Sequence, residues 1–405
     1  MPPVRLGLRE NLAQFSTLVA ITAFVGAMVG LERATLPLIG RDEFGLASSA
    51  TVLSFIVAFG AAKAATNLAA GALAERFGRK RLLVLGWLVA LPVPLLIAVA
   101  PSWGWVVAAN LLLGVNQGLT WSMAVVMKVD LAGPRRRGLA LGLNEAAGYG
   151  GVALAAAASG WLAAEFAARD VLVAAAAGVA LVALVASMLF VRDTAAHVAL
   201  EQADHLEGGI SLRRALADTS WRVPALRACS QAGLANNLND GLAWGILPLF
   251  LAAHGASLQE IGLVAGLYPA VWGVGQVWTG HWSDRTGRRP LIVAGMLTQA
   301  GALALLAASH GKVAVAAVSA VLLGAGTAMV YPTLIAAIVD RVSPLARAPT
   351  VGVYRFWRDM GYVAGGLLGG VLADAVGFGA TIAIVAGLTA ASGLWAASGL
   401  RERPA

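Results

Sequence analysis

The sequence has one cysteine, Cys229, so no disulfide can form within the chain. Its five histidines are scattered without metal-ligand spacing, which predicts a protein with neither metal nor cofactor. Charge is scarce as well. Asp, Glu, Lys and Arg make up 12% of the residues, about half the share of a soluble domain. No nucleophile constellation or phosphate loop appears, and the glycine clusters lie inside apolar runs instead of between a strand and a helix. These absences argue against an enzyme. Ten-residue alternating strands are missing too, which excludes a membrane-spanning β-barrel.

What the chain does have is apolar surface. Hydrophobic residues make up 59% and the mean hydropathy is +0.77. The apolar runs are about 20 residues long, enough to cross a bilayer as helices, and Val171 to Phe190 and Leu291 to Ser309 hold no charge at all. Counting runs between breakers predicts twelve spans, near 12–39, 48–72, 81–100, 103–128, 137–164, 170–191, 223–252, 258–280, 290–309, 312–338, 349–374 and 377–399. The longest polar interruption, Arg192 to Arg222, divides the chain into 1–191, a connector at 192–222 and 223–405, with a short surface helix expected around Ser211 to Ala217.

The formal charge of +8 raises the possibility of nucleic acid, but its placement points to a lipid bilayer. Of the 29 Lys and Arg, 21 fall at the termini and in alternate loops, and only Arg41, Arg169 and Lys312 fall in the opposite set. That bias puts both termini and the basic loops in the cytoplasm. Met1 to Asn11 is short and basic without a small-residue cleavage site, and reads as a cytoplasmic cap to the first span.

One loop is written twice. Gly71-Ala72-Leu73-Ala74-Glu75-Arg76-Phe77-Gly78-Arg79-Lys80-Arg81 recurs 209 positions later as Gly280-His281-Trp282-Ser283-Asp284-Arg285-Thr286-Gly287-Arg288-Arg289-Pro290. Leu36-Pro37-Leu38 matches Leu247-Pro248-Leu249, Leu112-Leu113-Gly114 matches Leu322-Leu323-Gly324, and Val129-Asp130 matches Val339-Asp340. A near-constant offset over two sets of six spans predicts a parallel structural repeat.

These residues resemble the major facilitator superfamily over essentially the whole chain. The resemblance implies an all-α integral membrane protein of twelve transmembrane helices, built as two pseudo-symmetric six-helix bundles. It implies a secondary transporter that takes a small molecule, has no nucleic-acid partner and acts as a monomer in the bacterial inner membrane. The family's loop signature, Gly-x-x-x-Asp-Arg-x-Gly-Arg-Arg/Lys, is matched by Gly280, Asp284, Arg285, Gly287 and Arg288. It is matched by Gly71, Arg76, Gly78 and Arg79 with Glu75 as the acid. The resemblance gives these loops a conformational-switch role, with Asp284 and Glu75 as latches. Two departures stand out: Gly114 occupies the position of an Arg found in many proton-coupled members, before Gln117-Gly118, and span five has no Pro.

Charges inside spans are costly and face a partner or a wet cavity. Eight stand out: Glu32, Arg33, Lys63, Glu145, Asp240, Arg355, Arg358 and Asp359. Four are acidic and four basic, so charge alone does not name the sign of a substrate. Arg355 and Asp359 are four apart and can pair on one helical face, which leaves Arg358 for an anion or carboxylate; the alternative is a structural ion network. Lys63 can bridge to Asp359 in one state, or form a static pair. Glu145, with no cation expected opposite it, is the first candidate for exchanging protons; a hydrogen-bonded structural acid is the alternative. Asp240 and Asn237 lie in Asn236-Asn237-Leu238-Asn239-Asp240-Gly241, which suits a polar substrate or hydrated ion, or helix packing. Glu32 and Arg33 either pair locally or gate. Asn116 and Gln117 offer neutral hydrogen-bonding groups at mid-depth.

The main expectation is proton-coupled efflux of a small solute, with uptake or uniport of a polar or anionic metabolite second. A non-transporting membrane sensor on the same fold would add a sizeable soluble domain, and the sequence shows none.

Overall fold

The computed structural model describes residues 6–132, 137–202, 210–342 and 346–400. Helices run through all of it: α1 (Leu12–Asp42), α2 (Ser49–Val52), α3 (Ser54–Phe77), α4 (Arg79–Ala90), α5 (Pro92–Ala98), α6 (Trp103–Ala132), α7 (Arg137–Leu162) and α8 (Ala168–Phe190). Then come α9 (Ala195–Gln202), α10 (Leu212–Ala217), a π-helical turn at Asp218–Arg222, α11 (Pro224–Ala253), α12 (Leu258–Thr286), α13 (Arg288–Ala307), α14 (Val313–Val339) and α15 (Arg347–Gly399). No strand occurs among the described residues. The short helix expected in the connector is α10, which Ser211 caps by accepting from Arg214 N at 3.3 Å.

Helical residues occupy each of the twelve apolar intervals. Eight helical segments are long and apolar enough to cross a membrane: α1, α2–α3, α4–α5, α8, α12, α13, α14 and α15. The remaining long helices are α6, α7 and α11. Their middles hold Asn110, Asn116 and Gln117, then Asn144 and Glu145, then Asn236 to Asp240. The polar residues that dilute these helices are largely the candidate site residues. α15 is two helices joined across Gly377, whose φ of 80° and ψ of 168° interrupt the ladder.

In the first bundle α1 packs on α7 and α8, and α6 on α3 and α4; in the second α11 packs on α15, and α14 on α12 and α13. The bundles meet chiefly where α7 lies along α12 and α3 along α15.

The sequence repeat is repeated in space. Gly78 and Gly287 end α3 and α12 with φ of 85° and 84°, a region that essentially only glycine enters. One residue on, Arg79 Nε lies 3.8 Å from Asp130 Oδ2, and Arg288 Nε lies 3.0 Å from Asp340 Oδ2. Arg76 and Arg285 of the same loops are exposed. Gly71 and Glu75 sit in α3, and Gly280 and Asp284 in α12, but the side chains of Glu75 and Asp284 lie outside the described residues.

Gly114 and Gly324 also match. A Cβ at Gly114 would collide with the carbonyl of Phe59 on α3, and one at Gly324 with the carbonyl of Tyr268 on α12. This backbone-on-backbone contact explains the family departure at Gly114. No arginine fits where α6 touches α3.

Candidate functional site

The buried charges of the two bundles converge where α1, α3, α6 and α7 face α11, α12, α14 and α15. Arg33 of α1 reaches Asp240 of α11, with Nη1 2.7 Å from Oδ1 and Nη2 donating to Oδ2 at 3.0 Å. Tyr362 of α15 donates its hydroxyl to the same carboxylate at 2.6 Å, and the ring of Trp244 lies 5.4 Å from the guanidinium. This corrects the local Glu32–Arg33 pairing, because neighbours on a helix point about 100° apart and Arg33 alone faces α11. It also makes Asp240 one end of an interbundle ion pair. Among the described residues, buried Glu32 has only an Asn110 amide 3.5 Å from Oε1, and its Oε2 has no partner.

Span eleven likewise pairs differently from expectation. Asp359 takes a short hydrogen bond from Asn67 of α3 and lies 3.4 Å from Arg358 Nη1, while Arg355 has no ion pair among the described residues. The expected Arg355–Asp359 pair is absent because Asp359 turns toward α3 across the bundle interface. Arg358 is therefore the held arginine. Its Nη2 donates to Tyr149 of α7 at 2.9 Å, its guanidinium lies 4.2 Å from the Tyr331 ring centre, and its Nε has no partner among the described residues.

Lys63 makes no bridge to Asp359. Its ammonium sits 5.3 to 5.5 Å from the ring centres of Tyr362, Phe59 and Trp121, with no hydrogen bond or ion pair among the described residues. Asp359 is already occupied by Asn67, whose side-chain carbonyl is held by Ser122 Oγ at 2.7 Å. The aromatic faces attract the ammonium through their quadrupoles but leave its N–H groups unused.

Glu145 of α7 accepts at Oε1 from Asn144 at 2.8 Å and from Trp121 Nε1 at 3.3 Å, and its buried Oε2 is unpartnered among the described residues. No cation lies within ion-pair distance of it among the described residues, as expected from the sequence. The sequence reading missed Lys128, which is wholly buried in the last turns of α6. Its Nζ donates to Thr22 Oγ1 at 2.5 Å, and Thr22 reaches Asn144 at 3.3 Å, so a polar chain runs from Lys128 to Glu145. The signal was a lysine inside an otherwise apolar helix end, which looked like a loop edge.

The neutral candidates separate. Asn116 donates to the Gly86 carbonyl at 2.9 Å and Gln117 to the Val25 carbonyl at 2.8 Å, tying α6 to α4 and α1. Asn236 and Asn239 are linked through Gln299 of α13, each at 2.9 Å. Among the described residues, Asn237 alone of these keeps both amide atoms buried and unpartnered. Aromatic rings fill the centre: Tyr149 stacks on Trp272 with centroids 3.5 Å apart, and Trp121 is 5.4 Å from Tyr149. Chemically, the arrangement sets buried carboxyl groups beside cations and rings drawn from both bundles. Among the described residues no group of His, Cys, Asp and Glu could hold a metal ion.

This architecture has counterparts. The uncharacterized MFS-type transporter STM4428 of Salmonella typhimurium is 25% identical over 393 residues, covering 91% of this chain and 93% of that protein. Multidrug resistance protein MdtG of Citrobacter koseri is 25% identical over 340 residues, 82% of this chain and 80% of that one. The crystal structure of nucleoside transporter NupG superposes with a TM-score of 0.77 at 13% identity, covering 96% of this chain and all of that one, which speaks for the fold alone. The model of the Major Facilitator Superfamily matches residues 12–238 and 229–405, and the chain belongs to that superfamily.

Proposed function

We propose that the protein is a proton-coupled secondary active transporter that moves a small solute by alternating access, with Glu145 as the coupling acid. The unpartnered, buried Oε2 of Glu145 carries this reading. A carboxyl without a cation in a low-dielectric site can take up and release a proton as its surroundings change. It lies on α7, which packs along α12 of the other bundle, so rocking of the bundles alters its neighbours.

The proposal includes twelve crossings in two units, 1–191 and 223–405, about the 192–222 connector. Both termini lie in the cytoplasm, and the protein works as a monomer in a bacterial inner membrane. Two readings of direction each have an observation behind them. Efflux is supported by the likeness to MdtG, named as a multidrug resistance protein. Cotransport of an anionic metabolite with a proton is supported by Lys63, a cation without an acid to neutralise it at ion-pair distance.

The test is Glu145→Gln in proteoliposomes, with counterflow of a small-solute library as the measure of exchange. The variant should lose accumulation driven by a pH gradient and keep part of the exchange. Unchanged pH-driven accumulation would pass the coupling role to Glu32, another buried carboxyl with an unpartnered oxygen among the described residues.

A further inference from the structure

Several buried donors on the helices that meet at the centre are left unfilled among the described residues. Arg358 Nε, Trp272 Nε1, Gln276 Nε2 and Asn237 Nδ2 are buried without an acceptor, and the Lys63 ammonium has none among the described residues. Unfilled acceptors on the same helices include Glu145 Oε2, Asn237 Oδ1, Gln117 Oε1 and Glu32 Oε2. Each buried donor left unmade costs free energy, more so on a charged group, so an occupant rich in acceptors lowers the energy of the site.

The formal balance read from the sequence also changes once partners are known. Arg33 and Asp240 neutralise each other directly and leave the count. Around the Tyr149–Trp272 stack remain Arg358, Lys63, Asp359 and Glu145. Arg358 Nη1 lies 3.4 Å from Asp359 Oδ1. Asp359 is thus at ion-pair distance of Arg358 alone, and the Lys63 ammonium has no carboxylate at that distance among the described residues.

The apolar part of the occupant is set by the walls. Trp121 lies between the Lys63 ammonium, 5.5 Å away, and Tyr149, 5.4 Å away. Tyr149 in turn holds Arg358 through its hydroxyl and stacks on Trp272. A flat ring can slot against these faces in offset geometry while its charged end meets the two cations.

We propose that the central site binds a planar aromatic monocarboxylate, its carboxylate shared between Lys63 and Arg358 and its ring against Trp121, Tyr149 and Trp272. The proposal rests on the reading of this cluster as the substrate site and selects, of the two directions above, the one in which anion and proton travel together. Asn237 is left to read a further polar substituent on the ring.

Benzoate, its neutral analogue benzamide and the cation benzylamine distinguish the possibilities, with the full-length protein purified in detergent and thermal stabilisation as the readout. A ligand that binds only the folded protein raises its unfolding temperature in a concentration-dependent way. Benzoate should stabilise, benzamide should not at equal concentration, and Lys63→Met should weaken benzoate by at least about tenfold, the worth of one charge-assisted hydrogen bond. Should Lys63→Met fail to fold, Arg358→Lys, which keeps the charge and loses the fork, should show the same loss. Stabilisation by benzamide or benzylamine equal to that by benzoate overturns the proposal, as does no response to benzoate or an unchanged benzoate response in a folded variant. A benzylamine response with intact pH-driven transport would overturn the anion assignment and leave the proton-coupled transporter standing.

Discussion

Removing one member of the Arg33–Asp240 pair should cost more than removing both. The carboxylate and guanidinium are 0% and 3% exposed, and their closest approach is 2.7 Å. Without Arg33, Asp240 keeps one donor, the Tyr362 hydroxyl at 2.6 Å. Without Asp240, Arg33 keeps only the Trp244 ring at 5.4 Å among the described residues, a cation–π contact worth about 0.5–2 kcal/mol. Stranding a buried charge in this way costs about 3–5 kcal/mol, which is a fall of roughly two to three and a half decades in the folded-to-unfolded ratio. Arg33→Met and Asp240→Leu should each show it. The double variant, which leaves no charge behind, should recover at least half of the loss. The assay is the unfolding midpoint of detergent-purified protein under chemical denaturation, read for wild type, both singles and the double. Because the pair joins α1 to α11, the singles should also loosen the contact between bundles. A double variant no more stable than its worse single parent would mean that the two charges do not support one another, and the pairing logic would be wrong.

Two further outcomes follow from particular contacts. Gly114→Ala and Gly324→Ala should both reduce the yield of folded protein, because each Cβ meets a carbonyl on the facing helix, whereas Gly142→Ala, with nothing within 4 Å of the new atom, should not; equal yields from all three, by fluorescence-detected size-exclusion chromatography, would deny the close helix contact. Arg355→Ala should leave the folded population nearly unchanged, since no ion pair is lost among the described residues, while Arg358→Ala strands Asp359 and the Tyr149 hydroxyl and should lower the unfolding midpoint, partly restored by adding Asp359→Asn; the reverse ranking would return Asp359 to Arg355.

The sequence by itself determined where the helices lie, where they break and that the chain is written twice. These are local or self-comparing signals. Apolar runs need only length, Gly78 and Gly287 need only a backbone angle closed to other residues, and Arg79 and Arg288 reach equivalent acids because repeats preserve equivalent contacts. The short helix expected around Ser211 to Ala217 was legible in the same local way, and it is α10. Glu145 was legible too, since an acid two turns into an apolar helix has few ways to be satisfied.

Only the tertiary structure decided which charges meet. The partner of Arg33 lies 207 positions away, and Asp359 turned from Arg355, its own helical neighbour, to Asn67, 292 positions distant. Lys128, at the edge of its apolar run, became a buried member of the Glu145 network only when α6 and α1 came together. Such choices depend on how each helix is rotated about its axis, and that rotation is set by contacts like Gly114 on Phe59, where one backbone rests on another. A one-dimensional pattern fixes which face of a helix is polar; the packing of all the helices fixes what that face meets.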